Sequence, residues 1–172
     1  LALLANLVPF ASDLGIPPTR AAVFLSTAAL IAIPGKLLFG SLADRLGTRN
    51  ALWLVGGFGA GALLAFLLFP TYGGLLAGSV LLGLAGGGLL PLWGLMIARG
   101  FGQASFGRAA GAMNPAMMPV TLLAAPLAGY LFDRSGHYRG AFLVMLAALA
   151  VSAATNGFLR LDRPPEVSDE GG

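Results

Sequence analysis

Residues 51–98 read ALWLVGGFGAGALLAFLLFPTYGGLLAGSVLLGLAGGGLLPLWGLMIA, 48 consecutive positions without a charged side chain. One helix needs about 20 apolar residues to cross the hydrocarbon core of a bilayer, so this run must hold two spans. Pro70-Thr71-Tyr72-Gly73-Gly74 is its turn, because Pro and Gly punctuate regular structure. The spans on either side are about 51–69 and 74–98.

The same pattern extends outward. Upstream, a span covers about 19–43, interrupted by Pro34-Gly35-Lys36. Before it lies the apolar stretch Leu1 to about Ala11, too short to cross, and then a turn with Asp13, Gly15, Pro17 and Pro18. The chain is therefore expected to begin inside a truncated helix. Downstream, no charge occurs between Arg108 and Asp133 or between Arg139 and Arg160. Those stretches predict spans over about 109–132, with Pro115, Pro119 and Pro126, and about 140–160. Residues 133–139 make the turn between them. Residues 161–172 are rich in charge and Pro and predict a disordered tail. The expected architecture is an all-α integral membrane bundle of six helices over residues 1–160, the first incomplete.

Composition excludes the competing classes. The chain is 57% hydrophobic and 10% charged, against about 25% charged in soluble domains. A soluble fold of this size leaves too much surface in water to hide that apolar content. The net charge of +3 comes from singly scattered basic residues, which form no nucleic-acid patch. Cysteine is absent and His137 is the single histidine, so no His/Cys metal site is expected and no cofactor is implied. Gly57-Phe58-Gly59-Ala60-Gly61-Ala62 formally matches a dinucleotide fingerprint, but no strand precedes it and no acid follows at the required distance. The pairs Gly57/Gly61, Gly74/Gly78 and Gly83/Gly87 instead predict close helix packing.

Basic residues in short loops set orientation. One side carries Arg45, Arg49, Arg99, Arg108, Arg160 and Arg163; the other carries Arg20, Arg134 and Arg139. The first side is expected to be cytoplasmic, with the C-terminus inside and the bundle in the plasma (inner) membrane.

The loop between the second and third spans is the most informative short stretch: Gly40-Ser41-Leu42-Ala43-Asp44-Arg45-Leu46-Gly47-Thr48-Arg49-Asn50. Gly40 predicts a close helix contact and Gly47 a tight turn. The stretch resembles the G-x-L-x-D-R-x-G-x-R loop of the major facilitator superfamily. Asp133-Arg134-Ser135-Gly136-His137-Tyr138 is similar to the turn between helices eleven and twelve in its monocarboxylate-transporter-like members. Asn6-Leu7-Val8-Pro9-Phe10, followed by Asp13-Leu14-Gly15, is similar to their seventh helix, and Arg99-Gly100-Phe101-Gly102 to the loop after their tenth. The resemblance implies helices seven to twelve of a twelve-helix transporter, with the N-terminal half missing from this chain. It implies transport of a small solute by alternating access between two six-helix halves. Gly40, Asp44, Arg45, Gly47 and Arg49 would then form a gating loop whose Asp meets a helix end of the opposite half.

Lys36 is the residue most worth testing. If its helix ends near Ala43, it lies seven residues inside, roughly 10 Å at 1.5 Å per residue. A charge at that depth is costly and usually faces a cavity, whereas a bland reading has it snorkel to the headgroups. The resemblance places a substrate-pairing basic residue, usually Arg, at this position, and so implies an organic anion such as a monocarboxylate. It also implies an acid one helical turn earlier for proton coupling; Ala32 stands there and leaves a coupling proton open. Asn6 and Asn114 are further candidate substrate contacts, against the bland reading of helix–helix hydrogen bonds. The expected partners are a small-molecule substrate, membrane lipid and the missing half. Two alternatives remain: a six-helix membrane protein that does not transport, and an inactive fragment. A membrane enzyme should carry several acidic, His or Cys residues within its spans, and these spans carry none.

Overall fold

A computed structural model describes residues 2–135 and 139–158. Six α-helices follow one another: α1 (Ala2–Asp13), α2 (Pro18–Leu46), α3 (Thr48–Leu68), α4 (Tyr72–Phe101), α5 (Phe106–Ser135) and α6 (Arg139–Phe158). A short 3₁₀ turn, Gln103–Ser105, precedes α5. No strand occurs among the described residues. Among the described residues three helices, α2, α3 and α4, are both long and apolar enough to cross a membrane by themselves. The tail 161–172 and residues 136–138 of the expected turn lie outside the described residues.

The helices are longer than the charge-free spans. The loop expected over residues 44–50 shrinks to Gly47, the one non-helical residue between α2 and α3. The reason is that charge marks where the chain leaves lipid, whereas helical hydrogen bonds continue into the headgroup region. Gly47 has φ +82°, a left-handed conformation that costs a side chain energy and glycine little. Between α3 and α4, the Phe69 N–H donates to the Ala65 carbonyl at 3.0 Å, and the Thr71 hydroxyl accepts from the Gly74 N–H at 3.2 Å. That hydroxyl caps one of the orphan donors at the start of α4.

Two kinds of packing hold the bundle. Near the α3–α4 turn, Leu7, Phe10, Phe24, Leu63, Phe66, Leu75 and Phe142 form a buried cluster drawn from α1, α2, α3, α4 and α6. The Phe10 and Phe142 rings meet edge to face at 4.9 Å between centroids, the arrangement their quadrupoles favour. Along the middle of the bundle, α2 and α4 approach through small residues. A Cβ added to Gly83 would lie 2.5 Å from the Ala28 carbonyl oxygen, and one added to Gly87 would press into the Ala32 carbonyl oxygen.

The three glycine pairs therefore behave differently. Gly83/Gly87 is a backbone seam, as expected. Gly74 and Gly78 are crowded instead by Phe69 and the Phe66 ring. Gly57 has nothing within 4 Å, and Gly61 only an ordinary contact with Leu81 at 3.5 Å. The contact expected at Gly40 is not found among the described residues either: a Cβ there would meet nothing of theirs within 4 Å. The α4-facing residues of α2 are Ala28, Ala32, Gly35 and Phe39, spaced at helical repeats. Gly40 is one residue past that stripe, about 100° around the helix.

Candidate functional site

The neighbour relations of the helices set the frame for the site. Helix α2 packs on α4, α4 touches α5, α5 touches α1, and α1 returns to α2. These four make a closed circuit; α3 packs against α4, α2 and α6, and α6 packs against α3 and α5 and meets α1 through the Phe10–Phe142 pair. Lys36 (α2), Asn6 (α1) and Asn114 (α5) all sit on helices of that circuit.

Lys36 lies well inside the span. Helix α2 continues to Leu46, so Lys36 is about 15 Å from that end, of which the last turn, with Asp44 and Arg45, reaches the headgroup level. An independent marker agrees. The Lys36 backbone nitrogen lies 3.0 Å from where a Gly87 Cβ would stand, and Gly87 is at the centre of α4 (Tyr72–Phe101). The lysine stem is much shorter than the distance to the helix end. Gly35 next to it is buried against α4, while the Lys36 side chain is exposed on the flank of α2. The arrangement presents one cation sideways from mid-bundle.

The two asparagines differ in level. Asn114 is eight residues into α5, about 12 Å from the end that α5 shares with the Leu46 end of α2. It is therefore near the depth of Lys36. Asn6 is seven residues from Asp13, about 10 Å from the opposite end of the bundle, and so is not level with Lys36. Their side chains lie outside the described residues.

The loop residues gather at one end. Asp44 and Arg45 are exposed on the last turn of α2, Gly47 makes the break, and Arg49 is half-buried on the first turn of α3. Sequence reading missed the residues that hold this end together. Thr48 is buried, and Arg99 Nη1 at the end of α4 donates to its Oγ1 at 2.7 Å. Asn50 Nδ2 donates to the Leu46 carbonyl at 2.9 Å, satisfying one of the orphan acceptors at the end of α2. A single polar residue between Gly47 and Arg49 was the available signal. The Thr48–Arg99 contact brings the start of α3 and the end of α4 together at one end of the bundle.

Among the described residues no group of three or more His, Asp or Glu side chains comes together as metal ligands would. Every buried side-chain nitrogen or oxygen among them has a partner. Ser79, for example, donates to the Leu75 carbonyl at 2.7 Å.

Comparison with known proteins shows the family. The profile of the Major Facilitator Superfamily matches residues 1–172. Monocarboxylate transporter 12 of Mus musculus is 32% identical over 164 residues, covering 92% of this chain and 34% of the relative. The Homo sapiens protein of that name is 29% identical over 163 residues, covering 92% and 32%. Monocarboxylate transporter 13 of Bos taurus is 32% identical over 148 residues, covering 84% and 34%. The chain spans about a third of the length of these relatives. No solved structure matches it.

Proposed function

The chain belongs to the major facilitator superfamily, and from that premise we propose that it is the C-terminal six-helix half of a secondary transporter for a small organic anion. Transport proceeds by alternating access, with this half rocking against an N-terminal half that closes the site. Lys36 binds the anionic group, and the end of the bundle carrying Asp44, Arg45 and Arg49 gates access from the cytoplasm. The multi-pass membrane character follows from the family and the apolar helices; the substrate class and the gate are the proposal.

One observation carries it: Lys36 is exposed at the middle of the bundle. A cation held there without a role is costly, by about 3 kcal/mol on insertion scales. A monocarboxylate offers the single opposite charge, and the curated relatives are named as monocarboxylate transporters. Asn114, near the same level, is a second polar contact for the substrate; Asn6, further along, serves the opposite mouth. The position one turn before Lys36 offers no carboxyl for a coupling proton: Ala32 stands there, with its carbonyl packed against Gly87.

The test is uptake of radiolabelled acetate, L-lactate and benzoate by the intact transporter, normalised to its amount in the membrane. Lys36→Ala abolishes uptake, and Lys36→Arg retains part of it because the charge survives with altered geometry. Near-normal uptake in Lys36→Gln would end the substrate-site reading. Sidedness is tested separately with cysteines at two exposed positions, Leu46 and Pro70. A membrane-impermeant thiol reagent outside intact cells should label Pro70→Cys and spare Leu46→Cys; the reverse pattern inverts the orientation.

A further inference from the structure

The Pro34-Gly35 pair should make the centre of α2 soft. Proline removes one hydrogen bond of the helix, and glycine adds backbone freedom. Yet α2 is helical from Pro18 to Leu46 without a break. The cause lies on α4. A Cβ on Gly35 would stand 3.1 Å from the Leu84 carbonyl oxygen and 3.3 Å from the Leu84 Cα. A Cβ on Gly87 would press into the Ala32 carbonyl oxygen and reach within 3.0 Å of the Lys36 backbone nitrogen. Backbone meets backbone at Ala32, at Gly35 and at Lys36 itself, while the Lys36 side chain stands exposed.

We infer that Gly87 is a positioning residue for Lys36. The missing side chain at 87 sets the separation of α2 and α4 at the level of Lys36, and so fixes where the ammonium meets the anion. The inference rests on Lys36 being the anion site. A side chain at 87 must displace α2, because the obstructing atoms are main chain and cannot rotate aside. Two neighbouring glycines supply the comparison. Gly83, one turn away, presses as hard on α2, with its Cβ 2.5 Å from the Ala28 carbonyl oxygen and 3.0 Å from the Ile31 Cβ. Its contacts fall five to eight residues before Lys36, about 8–12 Å along the helix. Gly86, beside Gly87, opens onto nothing within 4 Å.

The experiment measures concentration-dependent uptake by the intact transporter, using whichever of acetate, L-lactate and benzoate it takes up fastest. Gly87→Ala should raise KM about tenfold while the maximal rate per molecule in the membrane falls less than about twofold. Gly35→Ala, whose Cβ is less crowded, should raise KM about two- to threefold. Gly83→Ala should lower the melting temperature as much as Gly87→Ala does, yet leave KM within about twofold of the parent. Gly86→Ala should change neither quantity. Equal KM increases in Gly83→Ala and Gly87→Ala would overturn the inference, because the effect would then be general loosening of the seam. Unchanged KM in both Gly87→Ala and Gly35→Ala would overturn it too. If Gly87→Ala fails to reach the membrane, Gly35→Ala against Gly83→Ala decides: a KM increase confined to Gly35→Ala supports the inference, and any other pattern overturns it. Lys36→Gln, run in parallel, separates the two claims. Near-normal uptake there ends the anion-site reading and this one with it. Lost uptake there, with unchanged KM in the glycine variants, ends only the positioning claim.

Discussion

The α2–α4 seam and the phenylalanine cluster solve the same problem in opposite ways. Lipid is as apolar as a leucine side chain, so helices in a membrane gain little from hiding apolar surface and associate through van der Waals contact. The seam obtains that contact by removing side chains until the backbones of Ala28, Ala32 and Gly35 meet those of Gly83, Leu84 and Gly87. The cluster obtains it by filling the space near the α3–α4 turn with Phe10, Phe24, Phe66 and Phe142. The seam should therefore tolerate no addition, and the cluster no deletion. Lys36 stands on the seam, where backbone contact leaves the least freedom. A charge used for recognition gains from such a mounting.

The largest effect expected from this contrast is at the seam. Gly87→Leu should separate α2 from α4 and destabilise the bundle by more than about 3 kcal/mol, beyond the usual range for overpacking. Loss of the monodisperse peak in detergent size-exclusion chromatography checks it; a well-folded Gly87→Leu protein would break the contrast. Next comes deletion in the cluster. Phe66→Ala should cost about 3 kcal/mol, the low end of the range for large-to-small core changes, because lipid replaces water as the reference. Reversible unfolding in mixed micelles measures it.

Thr48→Val tests the polar clasp at the end of the bundle proposed as the gate. Losing the acceptor for Arg99 should cost about 1.5 kcal/mol, as for a hydrogen bond to a charged group. A double-mutant cycle with Arg99→Ala should recover most of that value as coupling energy; additive effects would mean that the 2.7 Å contact contributes nothing. The smallest effect is at Gly40. With open space around its Cβ position, Gly40→Ala should be neutral or stabilising by about 0.5 kcal/mol, since alanine narrows the unfolded ensemble. A clear destabilisation in the intact transporter would show that Gly40 packs against the opposite half, and would sharpen its place in the gate.

What the sequence alone determined were the features that depend on local chemistry. Charge-free runs such as 51–98 placed the helices, because lipid excludes charge wherever the chain lies within it. Gly47 announced the turn between α2 and α3, because only glycine takes its backbone angle at little cost. Order of motifs pointed to the family, and the solitary cation pointed to Lys36. Tertiary structure decided everything that depends on how one helix is rotated and raised against another. A G-x-x-x-G spacing says that two glycines share a helix face, but not which face meets a neighbour, so Gly83 and Gly87 form a backbone seam while Gly57 and Gly40 are open. Depth followed the same rule. The span boundary put Lys36 roughly 10 Å inside, and its register against Gly87 sets it level with the centre of α4. The partnership of Thr48 with Arg99 joins residues 51 positions apart, and no local pattern encodes a contact that forms only when two helix ends arrive side by side.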